Sequence, residues 1–200
     1  MISRCLSAVS LAAAGLALCT AAGTALAAPE VYVLDPVHSQ VSFEARHMGM
    51  TTQRGRFMKS AGTVTFDPVA KTGSIDVTIE AASVRTYDAR LDAIVKGPKF
   101  FDVERYPRIV YKSTKLVFDG DRVAAVDGAL TMLGVTHPVT LEIVDYVCGP
   151  QPFNKKPMCG GDATATIRRS EWGMTANLPL APADEVRLDI PFEGYLLPPG

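Results

Sequence analysis

The chain has 200 residues, of which 48% are hydrophobic and 20% are charged, and its formal net charge at pH 7 is −1. This composition is typical of one globular domain and excludes a disordered or collagen-like chain. A nearly neutral chain provides no basic field for a phosphate backbone, so we predict no nucleic-acid partner.

Residues 1–27 have the pattern of a secretory signal peptide. They contain Arg4 near the start, no acidic residue, a short apolar run, and the small residues Ala25 and Ala27 at the end. The apolar run is short for a membrane-spanning helix. We therefore predict cleavage after Ala27 and a single exported, soluble domain over 28–200, with no integral membrane segment.

The four cysteines fit an exported protein. Cys5 and Cys19 belong to the predicted signal peptide, and Leu18 argues against lipidation of Cys19, because a small residue is wanted at that position. Cys148 and Cys159 are then the remaining pair, and in an oxidising compartment a disulfide is their simplest fate. This bond would contribute roughly 2–3 kcal/mol. We place it in a polar loop outside the strand faces.

Most of the mature chain alternates apolar and polar residues with a period of two. The first such run extends from His38 to His47, and turn residues separate it from those that follow. This pattern predicts an all-β fold, an antiparallel barrel or sandwich. The apolar positions of the later runs are Val64 and Phe66; Ile75, Val77 and Ile79; Ile109 and Tyr111; Leu141 and Ile143; and Val186, Leu188, Ile190 and Phe192.

One segment, near 87–97, has helical spacing instead. Leu91, Ile94 and Val95 follow the i, i+3, i+4 pattern, and Gly97 and Pro98 are stop signals. We predict a short amphipathic helix that plugs one end of a barrel beside two adjacent phenylalanines. A surface helix that covers the edge of a sandwich is the alternative.

Catalytic motifs are missing from the sequence. The three histidines, His38, His47 and His137, fall on strand ends and turns, and no HExxH, CxxC or GxSxG pattern is present. We therefore assign no catalytic residue and no metal site, and we predict that the protein is not an enzyme.

Two groups of basic residues are candidates for contact with an anionic head group. Arg54, Arg56 and Lys59 form the first group, and Arg168 and Arg169 form the second. They lie either on solvated strand faces or on a basic rim that holds a group such as a pyrophosphate. The alternation with buried positions favours the solvated faces.

Several ordered strings resemble the YceI-like family. They include Asp35-Pro36-x-His38-Ser39, Arg54-Gly55-Arg56-Phe57, Lys99-Phe100-Phe101-Asp102-Val103, Gly134-Val135-Thr136 and Ser170-Glu171-Trp172-Gly173, and together they run from Tyr32 to about Phe192. Trp172 stands where the family usually has Phe. The Cys148–Cys159 segment and His137 also depart from the common pattern.

The resemblance implies a lipocalin-like antiparallel barrel of about eight strands in the periplasm, with an apolar cavity for a polyisoprenoid. The ligand would be a quinone or a prenyl phosphate, and no other cofactor is required. The resemblance leaves undecided whether the protein forms a homodimer. Strand phase and the helix stripe predict the ligand-binding wall as Phe43, Phe57, Ile79, Leu91, Ile94, Phe100, Phe101, Ile109, Tyr111, Leu130 and Trp172.

Two other functions are compatible with this sequence. An enzyme acting on an isoprenoid lipid would need a histidine and an acid that converge in the pocket. A stress or interaction protein would have a barrel filled by its own side chains.

We expect the exported protein to begin at Ala28 and to contain a bond between Cys148 and Cys159. The intact mass of protein purified under non-reducing conditions measures both features. A mass that includes residues 1–27, or two thiols that react with an alkylating reagent, would contradict the respective expectation.

Overall fold

The computed structural model describes residues 28–198, which form eleven strands and one α-helix. The elements are β1 (Glu30–Leu34), β2 (Ser42–His47), β3 (Thr51–Phe57), β4 (Ser60–Asp67), β5 (Thr72–Glu80), β6 (Val84–Arg85), α1 (Ala89–Lys96), β7 (Arg108–Asp119), β8 (Arg122–Met132), β9 (Val135–Pro150), β10 (Pro157–Arg168) and β11 (Glu185–Leu196). Short 3₁₀ turns follow β5 and β10. The predicted signal peptide lies outside the described residues.

The strands form a closed antiparallel barrel. Their order is β1-β4-β5-β7-β8-β9-β10-β11-β2-β3-β6, and an additional pairing of β1 with β11 closes the sheet. Three pairs of strands each act as one interrupted wall strand: β1 with β2, β3 with β4, and β5 with β6. The eleven strands therefore occupy eight positions in the barrel wall. The predicted barrel of about eight strands is confirmed, and the sandwich alternative is wrong.

The wall strand made by β1 and β2 is interrupted between Leu34 and Ser42, where period two alone predicted a strand from His38. Ser39 compensates for the lost pairing: its hydroxyl donates to the carbonyl of Glu193 (3.0 Å) and accepts from the Glu193 N–H (2.9 Å). The Ser60 hydroxyl donates to the Ser39 carbonyl. Together with the bond from the Asp35 N–H to the Glu193 carbonyl (2.8 Å), these bonds link the interrupted segment to β11 and β4.

The ring of Tyr111 on β7 lies directly against the backbone of Gly128 on the neighbouring strand β8. A Cβ atom on Gly128 would lie 2.3 Å from the Tyr111 ring, so a glycine is required there. The Tyr111 hydroxyl donates to the carbonyl of Val126 (2.9 Å), and the carbonyl of Val139 lies 3.1 Å away. Burial raises the pKa of this hydroxyl, which therefore stays protonated and acts as a donor.

The helix α1 lies next to β6, close to a gap in the barrel wall. The Asp88 side chain caps α1 by accepting from the Arg90 N–H (2.8 Å), and the helix ends before Gly97. The Asp92 carboxylate accepts hydrogen bonds from Thr86, which ties the helix to the end of β6. The neighbouring strand β3 pairs with β6 at its last two residues only.

No helix within residues 28–198 is both long and apolar enough to span a bilayer.

Candidate functional site: an apolar cavity in two chambers

The barrel interior contains two adjoining cavities. The first, which we call the disulfide-end chamber, has a volume of about 210 Å³ and extends toward the β9–β10 hairpin. Its apolar lining comes from all eight wall positions and includes Tyr32, Val64, Phe66, Ile75, Val77, Tyr111, Leu116, Val123, Val126, Leu141, Ile143, Ile190 and Phe192. No carboxylate or imidazole is among the described residues that line it.

The second cavity, which we call the helix-end chamber, has a volume of about 360 Å³ and lies beside α1. Its apolar lining includes Phe43, Phe57, Leu91, Val95, Phe100, Phe101, Ile109, Met132, Ile167, Met174 and Val186. Val41, Ile79, Leu130 and Leu188 line both chambers and therefore form the boundary between them. A chain that crosses this boundary would contact both.

The structure places nine of the eleven residues predicted for the wall at a chamber surface. Phe43, Phe57, Leu91, Phe100, Phe101 and Ile109 line the helix-end chamber, Tyr111 lines the disulfide-end chamber, and Ile79 and Leu130 line both. Strand phase predicted the inward direction of those on strands, and the helix stripe predicted that of Leu91. Whether they contact a ligand stays a prediction.

Two predicted wall positions are corrected. Ile94 is 55% exposed, because Leu91 and Val95 take the inward face of α1. Trp172 is buried but lines neither chamber; its indole N–H donates to the Leu130 carbonyl (3.2 Å), and its ring packs edge-on against His137 (5.1 Å between centroids). Trp172 thus supports the wall from within the packed core.

Three phenylalanines form a cluster at the helix end. The ring centroids of Phe43, Phe57 and Phe101 are 5.2–5.8 Å apart in tilted and edge-to-face arrangements, which aromatic quadrupoles favour. Gly55 leaves room for the Phe43 ring, since a Cβ there would lie 2.4 Å from it. This cluster forms one side of the chamber beside α1.

The disulfide between Cys148 and Cys159 is present, but its position corrects the expectation from sequence. The two cysteines are directly paired across β9 and β10, and both line the disulfide-end chamber. The connecting loop is confined to residues 151–156. The argument that this bond lies outside the strand faces is therefore wrong.

Arg169 is a further correction, because it is only 2% exposed and not on a solvated face. Its guanidinium donates to the carbonyls of Met174 (2.6 Å), Ala176 (2.8 Å), Pro182 (2.7 Å) and Ala183 (3.0 Å). Burial lowers its pKa below the ordinary value, and nearby Asp184 opposes that shift. The side chain thereby organises the loop over residues 173–184, which covers one side of the helix-end chamber.

Arg54, Arg56 and Lys59, the first group of basic residues, lie in different surroundings. Arg54 lines the helix-end chamber and pairs with Glu44 (Nε to Oε2, 3.0 Å), whereas Arg56 is exposed and lines neither chamber. Lys59 pairs with Glu80 (3.1 Å). Of the predicted basic rim, Arg54 and the buried Arg169 therefore reach the chamber surface, and Arg56 lies on a solvated face.

Polar groups at the helix-end chamber are few. Besides Arg54 and Arg169 they are His47, Gln53 and Thr86, and no carboxylate is among the described residues lining it. His38 lies away from both chambers, where Asp35 and Glu193 approach it; the three potential metal-ligand atoms lie within 4.8 Å of one another. The hydrogen bond with Asp35, together with the Glu193 charge, raises the pKa of His38.

These features define a class of protein. A closed eight-stranded barrel has an interior wide enough for one small ligand, and ligand pockets combine an apolar lining with a few polar groups. The barrel described above has an apolar interior with a few polar groups, so its architecture is that of a closed barrel of lipocalin-like shape with an internal cavity.

Comparisons with known proteins identify the family. A family model described as the YceI-like domain matches residues 32–194. Protein YceI of Salmonella arizonae is 33% identical over 173 residues, which cover 86% of this chain and 89% of that protein. The chain therefore belongs to the YceI-like family, as its sequence motifs predicted.

Solved structures share this fold. BcnA of Burkholderia cenocepacia superposes with a TM-score of 0.67 at 26% identity, covering 80% of this chain and 98% of that chain. A polyisoprenoid binding domain from Saccharophagus degradans superposes with a TM-score of 0.58 at 15% identity, covering 83% of this chain and 98% of that chain. The second likeness shows the fold alone.

Replacement of Arg169 should destabilise the protein, whereas replacement of its neighbour should not. Arg169→Met leaves four backbone carbonyls without their donor, and we expect it to cost at least about 2 kcal/mol of unfolding free energy. Arg168→Met is the matched control; it removes an exposed side chain and should stay within about 0.5 kcal/mol of the parent. Urea denaturation measures both, and equal effects would contradict the assigned role of Arg169.

Proposed function

We propose that the protein binds a polyisoprenoid or isoprenoid-quinone lipid inside the barrel and carries or stores it in the periplasm. The observation that carries this proposal is the pair of adjoining apolar chambers, about 210 and 360 Å³ in volume, which share four lining residues. Pockets for small ligands typically measure about 300–1,000 Å³. The lining suits a branched hydrocarbon better than a polar metabolite.

Burial of the hydrocarbon supplies the binding free energy. Each methylene removed from water contributes about 0.8 kcal/mol, so a chain of several isoprene units needs no charged anchor. The aromatic cluster of Phe43, Phe57 and Phe101 provides large apolar surfaces where such a chain would enter the helix-end chamber. Family membership, and the isoprenoid named for the Saccharophagus domain of like fold, support the same ligand class.

The charges around the helix-end chamber favour a neutral head group such as a quinone over a prenyl phosphate. Glu44 already neutralises Arg54, and Arg169 donates its hydrogen bonds to backbone carbonyls. A phosphate would have to compete with both arrangements. A quinone needs only a donor for its carbonyl oxygen, and His47 and Gln53 carry suitable groups.

The two alternative functions receive less support. An enzyme acting on the lipid needs a histidine paired with an acid in the cavity, and the described lining contains His47 without a carboxylate. A packed interaction barrel would have an interior filled by side chains, which does not fit the two chambers. The proposed periplasmic location depends on the sequence pattern of residues 1–27.

Organic extraction of protein purified from its native host, followed by mass spectrometry, should yield one dominant isoprenoid lipid. Leu188→Trp places an indole at the boundary of the two chambers and should lower the extracted lipid per protein at least tenfold. Ile94→Trp, on the outward face of α1, is the matched control and should keep the parental amount.

Circular dichroism must show that both variants are folded, since overpacking a core costs about 1–3 kcal/mol. A folded Leu188→Trp protein with the parental lipid content would contradict the assigned boundary. Parent protein without any lipid would favour the packed barrel, and turnover of added lipid would favour the enzyme.

Head-group preference can be tested with two neighbouring arginines. If the ligand is a quinone, Arg54→Ala should change quinone affinity less than threefold, because Glu44 neutralises this arginine in the parent. If it is a prenyl phosphate, the same change removes a charged hydrogen bond worth about 1.5–3 kcal/mol and weakens binding at least tenfold. Arg56→Ala lies outside the chambers and should affect neither ligand; isothermal titration calorimetry measures the affinities of both ligands.

A further inference from the structure

Large apolar side chains stand exposed around the helix-end chamber. Met48 and Met50 lie on the β2–β3 turn, Tyr87 precedes α1, Ile94 lies on it, and Leu180 lies on the 173–184 loop; we call these five residues the apolar rim. Met50, Tyr87 and Leu180 are 78%, 84% and 66% exposed. Exposed apolar residues that occur together, and not singly, mark an interaction site.

The apolar rim belongs to the same three segments that line the chamber. His47 and Gln53 flank the β2–β3 turn, Thr86 and Leu91 flank Tyr87, and Pro182 follows Leu180; each of these flanking residues lines the helix-end chamber. The rim residues therefore surround the part of the chamber that lies beside α1 and the unpaired edge of β3.

Backbone hydrogen bonds hold two of these segments together. The Met48 N–H donates to the Leu180 carbonyl (2.8 Å), and the Ala183 N–H donates to the Arg46 carbonyl (2.7 Å). The Arg46 guanidinium donates to the carbonyls of Gly49 (2.6 Å) and Met50 (2.9 Å). The exposed side chains thus sit on a defined surface, and not on frayed ends.

The charge of the two segments around this rim is positive, although the whole chain is slightly negative. Residues 42–57 and 85–99 contain seven basic and three acidic residues. Each of these three acids pairs with an arginine: Glu44 with Arg54, Asp88 with Arg90, and Asp92 with Arg85. In the part of the chain that the structure describes, this leaves four basic side chains without a carboxylate within 4 Å, namely Arg46, Arg56, Lys96 and Lys99. The third rim segment, 173–184, adds one acid, Asp184, whose carboxylate accepts hydrogen bonds from Ser170.

We propose that the apolar rim docks on the surface of a bilayer that contains anionic lipids, with the helix-end chamber facing the membrane. Apolar side chains that enter the acyl boundary, with basic residues beside the head groups, are the combination that favours interfacial binding. The cargo in this scheme rests on the proposed function, because an isoprenoid could then pass between bilayer and barrel without crossing water. The docking itself depends only on the rim and the charges.

The opposite end of the barrel provides a matched control. Phe153, at the tip of the β9–β10 hairpin, is 91% exposed, and Val69 on the β4–β5 turn is also exposed. Lys155 lies near Phe153 and is exposed as Lys99 is. Equivalent substitutions can therefore be made at both ends of the molecule.

Flotation with vesicles tests the proposal with protein purified from its native host. The parent should float with vesicles of phosphatidylcholine and phosphatidylglycerol in a 3:1 ratio, and less with phosphatidylcholine alone. The rim variant with Met50→Ser, Tyr87→Ser and Leu180→Ser should lose at least tenfold in partitioning. The control variant with Val69→Ser and Phe153→Ser should float as the parent does.

A single lysine at each end tests the electrostatic part. Lys99→Ser should lower partitioning to the anionic vesicles about fivefold, as expected for roughly 1 kcal/mol per basic residue near the surface, and Lys155→Ser should not. Rim and lysine variants that float as the parent does would overturn the proposal. Loss in the Phe153 variant instead would assign docking to the opposite end and also overturn it.

Extraction of lipid from the same variants separates this proposal from the proposed function. All of the exposed-residue variants should bind added isoprenoid to the parental extent, since none of the changed side chains lines a chamber. Parent protein that floats but yields no isoprenoid would refute the proposed cargo and leave the docking supported. Parent protein that carries lipid and does not float would refute the docking alone.

Discussion

Closure of the sheet through β11 is the constraint on which the cavity depends. This strand pairs with β10 along eleven residue pairs, and on its other edge it pairs with β2 near its start and with β1 near its end. One strand therefore joins both halves of an interrupted wall. Because this closure pairs the wall strands on both sides except at the interruptions, such as the edge of β3 beyond β6, the inner face of the sheet can stay apolar with few unpaired backbone groups.

Polar side chains reach the two chambers at the interruptions in the barrel wall. Where β1 and β2 separate, the Ser39 and Ser60 hydroxyls replace strand hydrogen bonds, and both residues line the disulfide-end chamber. Where β3 loses its partner beyond β6, α1 packs beside the gap and His47, Gln53 and Thr86 reach the chamber surface. These polar side chains are thus found where the regular pairing of the sheet is interrupted.

Arg169 connects the barrel to the segment that covers it. A buried guanidinium is costly unless its donors are satisfied, and here four carbonyls from the 173–184 loop satisfy them. The same loop presents Leu180 to solvent and is tied to the β2–β3 turn. Two of the three segments of the apolar rim, the β2–β3 turn and the 173–184 loop, are therefore held by the same contacts as one side of the chamber wall, which relates the proposed docking surface to the proposed binding site.

Much of the fold and part of the site could be predicted from the sequence alone. Period two identified the inward positions, the stop signals identified α1, and the isolated cysteines identified the disulfide, because each of these signals is local or depends on residue type. The sequence could not show that Leu91 and Val95 face inward while Ile94 faces solvent, since all three fit the helical spacing. Arg168 and Arg169 look equivalent in sequence, but the carbonyls that bury Arg169 lie 5 to 14 residues further along the chain. The cavity itself depends on tertiary structure, because its volume is set by the sizes of side chains that strands distant in sequence bring face to face.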